Sequence, residues 1–141
     1  SYSIVPIPKK KLRTFWSFAV PHLKKAVSLS PHKIAMSDVL EGANQGVYTI
    51  WLVTKDNKEI VASIATRVVA YARCRAFAIE FVGGSEMKHW IDMVLESLGE
   101  VARHNDCSHL EGYGREAWMK YLGKRGFKPS YITFEKELEH G

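Results

Sequence analysis

Two cysteines, Cys74 and Cys107, are all that the 141 residues contain. That is too few for a disulfide framework, and both are expected to be reduced, partly buried small apolar residues. No apolar run approaches the roughly 20 residues needed to cross a bilayer, which excludes a membrane-spanning helix and leaves no membrane partner to expect. Ser1-Tyr2-Ser3-Ile4 lacks a charged start followed by an apolar block, so no secretory signal and a cytoplasmic location are expected. Repeats, low-complexity tracts and linkers are absent too, so residues 1–141 are expected to form one domain. Charge is only mildly one-sided. With 20 Lys+Arg against 15 Asp+Glu the net charge is +5, which favours anionic ligands without choosing among a phosphorylated molecule, nucleic acid and an acidic surface.

What is present is a mixed pattern of elements. Tyr2–Ile7, with Pro6 and Pro8 at its end, suits an edge strand. Leu12, Phe15, Trp16, Ala19 and Leu23 recur at helical spacing, with Pro21 expected to kink or split that helix. Ser30-Pro31 reads as the start of a second helix carrying Met36, Val39, Leu40 and Ala43 on one face, with Gly46 at its end. The runs Val47–Thr54 and Glu59–Ala72 predict a hairpin turning at Lys55-Asp56-Asn57-Lys58. A third strand, Ala76–Val82, places Phe77, Ile79 and Phe81 on one face and Ala78, Glu80 and Val82 on the other. Gly83-Gly84 is expected to break it.

The strongest periodic signal follows. Met87, Trp90, Ile91, Val94, Leu95, Leu98, Val101 and Ala102 form one apolar stripe along about five turns of helix. A short strand at Ser108–Tyr113 comes next, then a helix with Trp118, Tyr121 and Leu122 closed by Gly126, and a last strand at Lys128–Leu138. A strand, a long helix and another strand imply a parallel pair with a right-handed crossover inside an otherwise antiparallel sheet.

This order resembles the GNAT superfamily of N-acetyltransferases, and particular residues carry the likeness. Ala102-Arg103, Asn105-Asp106-Cys107 and His109-Leu110-Glu111-Gly112 look like the end of that family's central helix and its fifth strand. Tyr121-Leu122-Gly123-Lys124-Arg125-Gly126-Phe127 resembles its aromatic helix ending in Gly-Phe, and Tyr131-Ile132-Thr133-Phe134-Glu135-Lys136 its closing strand. Gly112, Arg115, Trp118 and Gly126-Phe127 together look closest to short GNAT-like proteins of tailed phages. The resemblance implies an α/β fold with a mixed, centrally splayed sheet of about six strands flanked by about four helices. It also implies acetyl-CoA as co-substrate and an amine acceptor, with the pyrophosphate at the start of the central helix, where Phe81, Val82, Gly83, Gly84 and Ser85 stand. Unpaired N–H groups and the helix dipole bind anions there. Gly83-Gly84 as a plain turn is the other reading of that segment.

Three positions depart from the family's pattern. Its Gly-x-Gly falls on His89 and Ile91, with Glu86 adding negative charge; its tyrosine acid aligns with Leu122; and its Asn with Arg115.

Acyl transfer needs a base for the amine and a proton for the departing thiolate. Glu80, at the end of its strand among small and apolar neighbours, is the base candidate, and Tyr121 the acid. Glu111 and Tyr113 are alternatives on the next strand. Against these stand an exposed strand-end carboxylate for Glu80 and packing on Trp118 for Tyr121. His104, Cys107 and His109 share a His-x-x-Cys-x-His spacing but lack a fourth ligand, so no metal is expected. Cys107 has no basic cluster to activate it. Lys9-Lys10-Lys11-Leu12-Arg13 reads as a solvated helix start, with nucleic-acid contact as the alternative. The four tryptophans read as core residues. The resemblance thus leaves two functional readings: an acyl-CoA-dependent N-acyltransferase, or a catalytically inactive member of the fold serving as a phage virion or host-interaction protein.

Overall fold

A computed structural model describes residues 1–140. Its strands are β1 (Tyr2–Pro6), β2 (Thr49–Lys55), β3 (Glu59–Ala70), β4 (Arg75–Gly84) and β5 (His109–Gly112). They form one sheet in the order β1-β2-β3-β4-β5, antiparallel except for the parallel β4–β5 pair. The helices are α1 (Leu12–Val27), α2 (Met36–Asn44), α3 (Met87–His104) and the short α4 (Met119–Leu122). The β2–β3 turn forms where the sequence predicts it. Asp56 and Asn57 both take left-handed conformations and Lys58 N–H bonds the Lys55 carbonyl at 3.0 Å, the geometry that matches the twist of a hairpin.

Two cores cover the two faces of the sheet. The stripe of α3, through Trp90, Ile91, Val94, Leu98 and Ala102, packs on Trp51, Val53, Ile64 and Phe77. On the opposite face, Leu12, Ala19, Leu23 and Val27 of α1 and Val39 and Ala43 of α2 pack on Ile50, Leu52 and Ala65. Among the described residues no helix is long and apolar enough to cross a membrane.

Several expectations change. Pro21 sits inside α1 without splitting it. Ser30-Pro31 lies in the turn before α2, which starts instead at Met36; the Asp38 carboxylate caps it by accepting the Ala35 N–H at 2.8 Å. Trp51 and Trp90 are core residues, whereas Trp16 and Trp118 are half-buried. Cys74 is exposed and Cys107 partly buried, both as free thiols. The expected closing strand does not form, for Lys128–Leu138 pairs with no strand. Five strands therefore stand where about six were expected.

Two changes bear on the site. Gly83-Gly84 does not break the strand; β4 runs through both, opposite Ser63 and Ala62. A Cβ at Gly83 would lie 1.7 Å from the His22 carbonyl oxygen, so glycine is required where α1 presses its backbone onto β4. The second change is a bulge. Ala65 pairs with Phe81 but Thr66 with Ile79, so Glu80 is the extra residue on β4. Beyond it the faces exchange: Val82 joins the α3 core and Phe81 the α1–α2 core. Strict alternation had assigned these two residues the other way.

Candidate active site

The parallel β4–β5 pair is short. It begins at Ala76 opposite His109 and ends at Ile79 opposite Gly112. From Glu80 to Gly84, β4 continues alone on that side, with β3 behind it. The bulge therefore falls where the two strands part. Bulges bend a strand and re-aim its side chains, and they gather beside active sites.

Glu80 is the polar centre of this cleft. Its carboxylate accepts a hydrogen bond from Arg67 Nε, and the Glu80 side chain is only 14% exposed. Arg67 lies opposite Ala78 on β3, one residue before the bulge begins. Glu80 is thus neither an exposed strand-end carboxylate nor one surrounded only by apolar groups; it is largely buried and ion-paired. Tyr48 forms one wall, its ring 6.3 Å from that of Phe81 between centroids. Gly42 makes room for it, since a Cβ there would meet the Tyr48 ring at 2.5 Å. Burial, then the nearby Glu80 charge, pushes the Tyr48 phenol above its ordinary value of 10.0.

A second network is centred on β5 itself. Glu111 accepts hydrogen bonds from the hydroxyls of Tyr71 and Tyr113, each at 2.9 Å, and its other oxygen is 2.9 Å from His109 Nε2. His109 Nδ1 in turn meets Ser108 Oγ at 2.8 Å. Burial opposes ionisation of Glu111, but the bonds from His109, Tyr113 and Tyr71 outweigh it and hold the carboxyl below its ordinary value of 4.5. Tyr113 is pushed far upward by burial, by its bond to Glu111 and by the charges of Glu111 and Glu80. It keeps its proton firmly and acts as a donor to Glu111.

The start of α3 lies at the end of β4. Ser85 N–H bonds the Val61 carbonyl at 2.9 Å, and the Ser85 carbonyl accepts Trp90 Nε1–H at 2.7 Å. His89 N–H bonds the Glu86 carbonyl, and no side chain caps the helix. Met87 and Lys88 therefore carry the N–H groups of the first turn that lack an intrahelical acceptor. Glu86, in a left-handed conformation, turns its carboxylate to the Tyr2 hydroxyl at 2.8 Å and to Lys55 Nζ at 3.0 Å. Those two bonds hold its carboxyl below 4.5. Its charge is thereby compensated within β1 and β2.

Tyr121 lies half-buried on α4 with Lys120 Nζ 5.8 Å from its ring centre. Among the described residues its hydroxyl makes no hydrogen bond, and nothing ties it to Glu80. The neighbourhood of Glu80 instead belongs to Arg67, Tyr48 and Tyr113. Arg67 and Tyr48 were invisible to sequence reasoning, because only the register of β3 and the approach of α2 bring them there. Among the described residues no three His, Cys, Asp or Glu side chains gather as a metal site. Lys9–Lys11 form a single exposed 3₁₀ turn before α1.

No protein-family model matches the chain, and no curated protein matches it in sequence. Solved structures do match in fold. A probable acetyltransferase aligns at TM-score 0.71 with 11% identity over 99% of both chains. An aminoglycoside acetyltransferase from an uncultured soil metagenomic sample aligns at 0.72 with 10% identity, again over 99% of both. Glucosamine-6-phosphate N-acetyltransferase from Arabidopsis thaliana aligns at 0.62 with 14% identity over 99% of both. The fold is that of the GNAT acetyltransferases. Identities this low establish architecture and leave the chemistry to the site.

Proposed function

We propose that the protein is an acetyl-CoA-dependent N-acetyltransferase acting on an amine. The parting of β4 and β5 at the Glu80 bulge, beside the uncapped start of α3, carries this reading. The open edge of β4 offers backbone groups to an extended pantetheine arm, and the Met87 and Lys88 amides offer donors to its pyrophosphate. Phe81, Val82, Gly83, Gly84 and Ser85 line the approach to that helix start. Only part of this segment is free to bind, because Gly83 is occupied by α1 and Ser85 N–H by Val61.

In this reading the amine nitrogen attacks the thioester carbonyl and the C–S bond breaks. Glu80 takes the proton from the amine, either directly or through one water. The departing thiolate takes a proton from Tyr121 or from solvent; Tyr113 is too weak an acid for that step. Carboxylates at Glu80 and Glu111 favour a cationic acceptor, in keeping with the aminoglycoside named for one structural neighbour. Catalysis would proceed in the cytoplasm, where acetyl-CoA is available. Calorimetry with acetyl-CoA is the test, followed by release of free thiol in the presence of amines. Heat of binding and amine-dependent thiol release are expected. No binding at millimolar acetyl-CoA overturns the proposal.

The Arg67–Glu80 pair favours a second reading. A base held by a guanidinium, together with the absence of Gly-x-Gly at His89 and Ile91, suits a non-catalytic member of the fold, used as a virion or host-interaction protein as the phage-like resemblance implies. Acetyl-CoA binding without transfer to any amine would select it.

A further inference from the structure

The charge of this chain is unevenly placed. Residues 1–37 hold seven of the 20 Lys+Arg and none of the 15 Asp+Glu, the first carboxylate being Asp38. The remainder, with thirteen basic residues against those 15 acidic ones, is slightly negative. Six of the seven, Lys9, Lys10, Lys11, Arg13, Lys24 and Lys25, stand on α1 or on the turn that leads into it, and all six are exposed. Among the described residues none of the six forms an ion pair. Of the seven, only Lys33, in the turn after α1, has a carboxylate partner, Glu135.

Folding does not account for this placement. Cations at a helix C-terminus complement the helix dipole, which covers Lys24 and Lys25, but at the N-terminus they oppose it. Lys9, Lys10, Lys11 and Arg13 lie at the N-terminus of α1, with no acidic residue in its first turn and no side-chain cap. A helix built for stability alone carries the opposite sign at that end, and departures of this kind are expected where a surface is used.

Because α1 runs unbroken through Pro21, its 3.6-residue period sets which residues share a face. Lys11, Thr14, Phe18, Pro21 and Lys25 fall on one stripe, with Arg13, Ser17 and Lys24 on the stripe beside it, and every one of them is exposed. Phe18 is the centre of this face and is 48% exposed. Lys11 and Lys25 lie two turns from it on either side, about 10 Å each along the axis. Phe15 packs beside the Phe18 ring, with centroids 6.0 Å apart and planes tilted by 39°. The opposite face of α1, through Leu12, Ala19, Leu23 and Val27, is buried in the core.

We propose that the outer face of α1 is a docking surface for single-stranded nucleic acid, with its cations on the phosphates and a base stacked on Phe18. Cations that bracket an exposed aromatic ring match a chain of phosphates carrying flat bases. A duplex keeps its bases stacked on one another, out of reach of such a ring. An anionic bilayer is the poorer match. A helix that lies on a membrane buries its apolar face there, and that of α1 is committed to the sheet.

Fluorescence anisotropy of the full chain with a labelled single-stranded oligonucleotide of about 20 nucleotides, longer than one site of this kind, tests this. Binding is expected to weaken with added salt, log K falling by about 0.7 per log unit of salt for each phosphate contacted. The fourfold variant Lys11→Gln, Arg13→Gln, Lys24→Gln, Lys25→Gln is expected to bind about 10-fold more weakly or worse at low salt, with a shallower slope. Phe18→Leu keeps an apolar side chain but removes the ring, and is expected to lose about 5-fold or more with the slope unchanged. All five positions are exposed, so circular dichroism of both variants should match the wild type. No binding at about 50 mM salt overturns the proposal, as does affinity that either variant retains in full. Tighter binding of a duplex of the same sequence overturns it, as does binding to phosphatidylserine vesicles without binding to the oligonucleotide. None of these readouts depends on acetyl transfer.

Discussion

Arg67 decides what Glu80 is able to do. A largely buried carboxylate is costly to leave unpaired, and the guanidinium gives it an oppositely charged partner and fixes its direction. The same bond also competes with an incoming amine for that carboxylate. These two effects separate by mutation. Glu80→Gln removes the proton acceptor and is expected to lower kcat by about 10²-fold or more with little change in the KM for acetyl-CoA. Arg67→Met leaves the buried carboxylate unpaired and is expected to lower kcat with little change in the KM for acetyl-CoA, with Arg67→Lys restoring much of it. A kcat unmoved by Arg67→Met would mean that Glu80 acts without this partner. Arg67 is a positioning residue in this scheme; it acts on the reaction through the carboxylate it holds.

At the scale of elements, β4 contains both the clearest success of the sequence and its clearest failure. The α3 stripe was legible because helical periodicity is local, and Trp90, Ile91, Val94, Leu98 and Ala102 are buried as that spacing demands. Alternation along β4 was legible only as far as Ile79. The bulge at Glu80 arises from the register with β3, which no window along β4 contains. Glu80 is singled out as a candidate by its place near a strand end, whereas nothing local in the sequence points to its ion-pair partner Arg67. Gly83-Gly84 was misread for the same reason: the cause of Gly83 is the α1 backbone at His22, remote in sequence. Gly83→Ala tests that account. The added methyl has to displace α1 from β4, and a loss of about 1–3 kcal/mol is expected, read from the urea midpoint. Gly99→Ala, whose added methyl meets nothing closer than 3.7 Å, should show no such loss. Equal effects at the two positions would point to glycine's backbone freedom instead of the close approach.

For the whole molecule, carboxylates tie separate elements together, and their titration sets how stability depends on pH. Glu86 joins β1 and β2 to the start of α3, Asp92 joins α3 to Arg125 beyond α4, and Glu111 joins β5 to Tyr71 at the end of β3. In the folded state Glu86 and Glu111 lie below 4.5 and Asp92 below 3.8, the ordinary values of these groups. A carboxyl whose value falls on folding contributes stability that is fully present above its unfolded value and is lost as pH falls through the folded one. The urea midpoint is therefore expected to be flat above about pH 5 and to fall steadily below about pH 4.5. The net charge of +5 at neutral pH sharpens this fall, because every proton taken up adds to an existing excess of positive charge. Glu111→Gln keeps the shape of the side chain and removes its charge. At pH 7 it is expected to cost about 1–2 kcal/mol, since three donors lose an ionised acceptor. In acid the gap between variant and wild type should shrink as pH falls through the lowered folded-state value of Glu111, because protonation then removes from the wild type the charge that the substitution has already removed. A gap that does not shrink in acid would assign the loss to packing and not to the carboxylate.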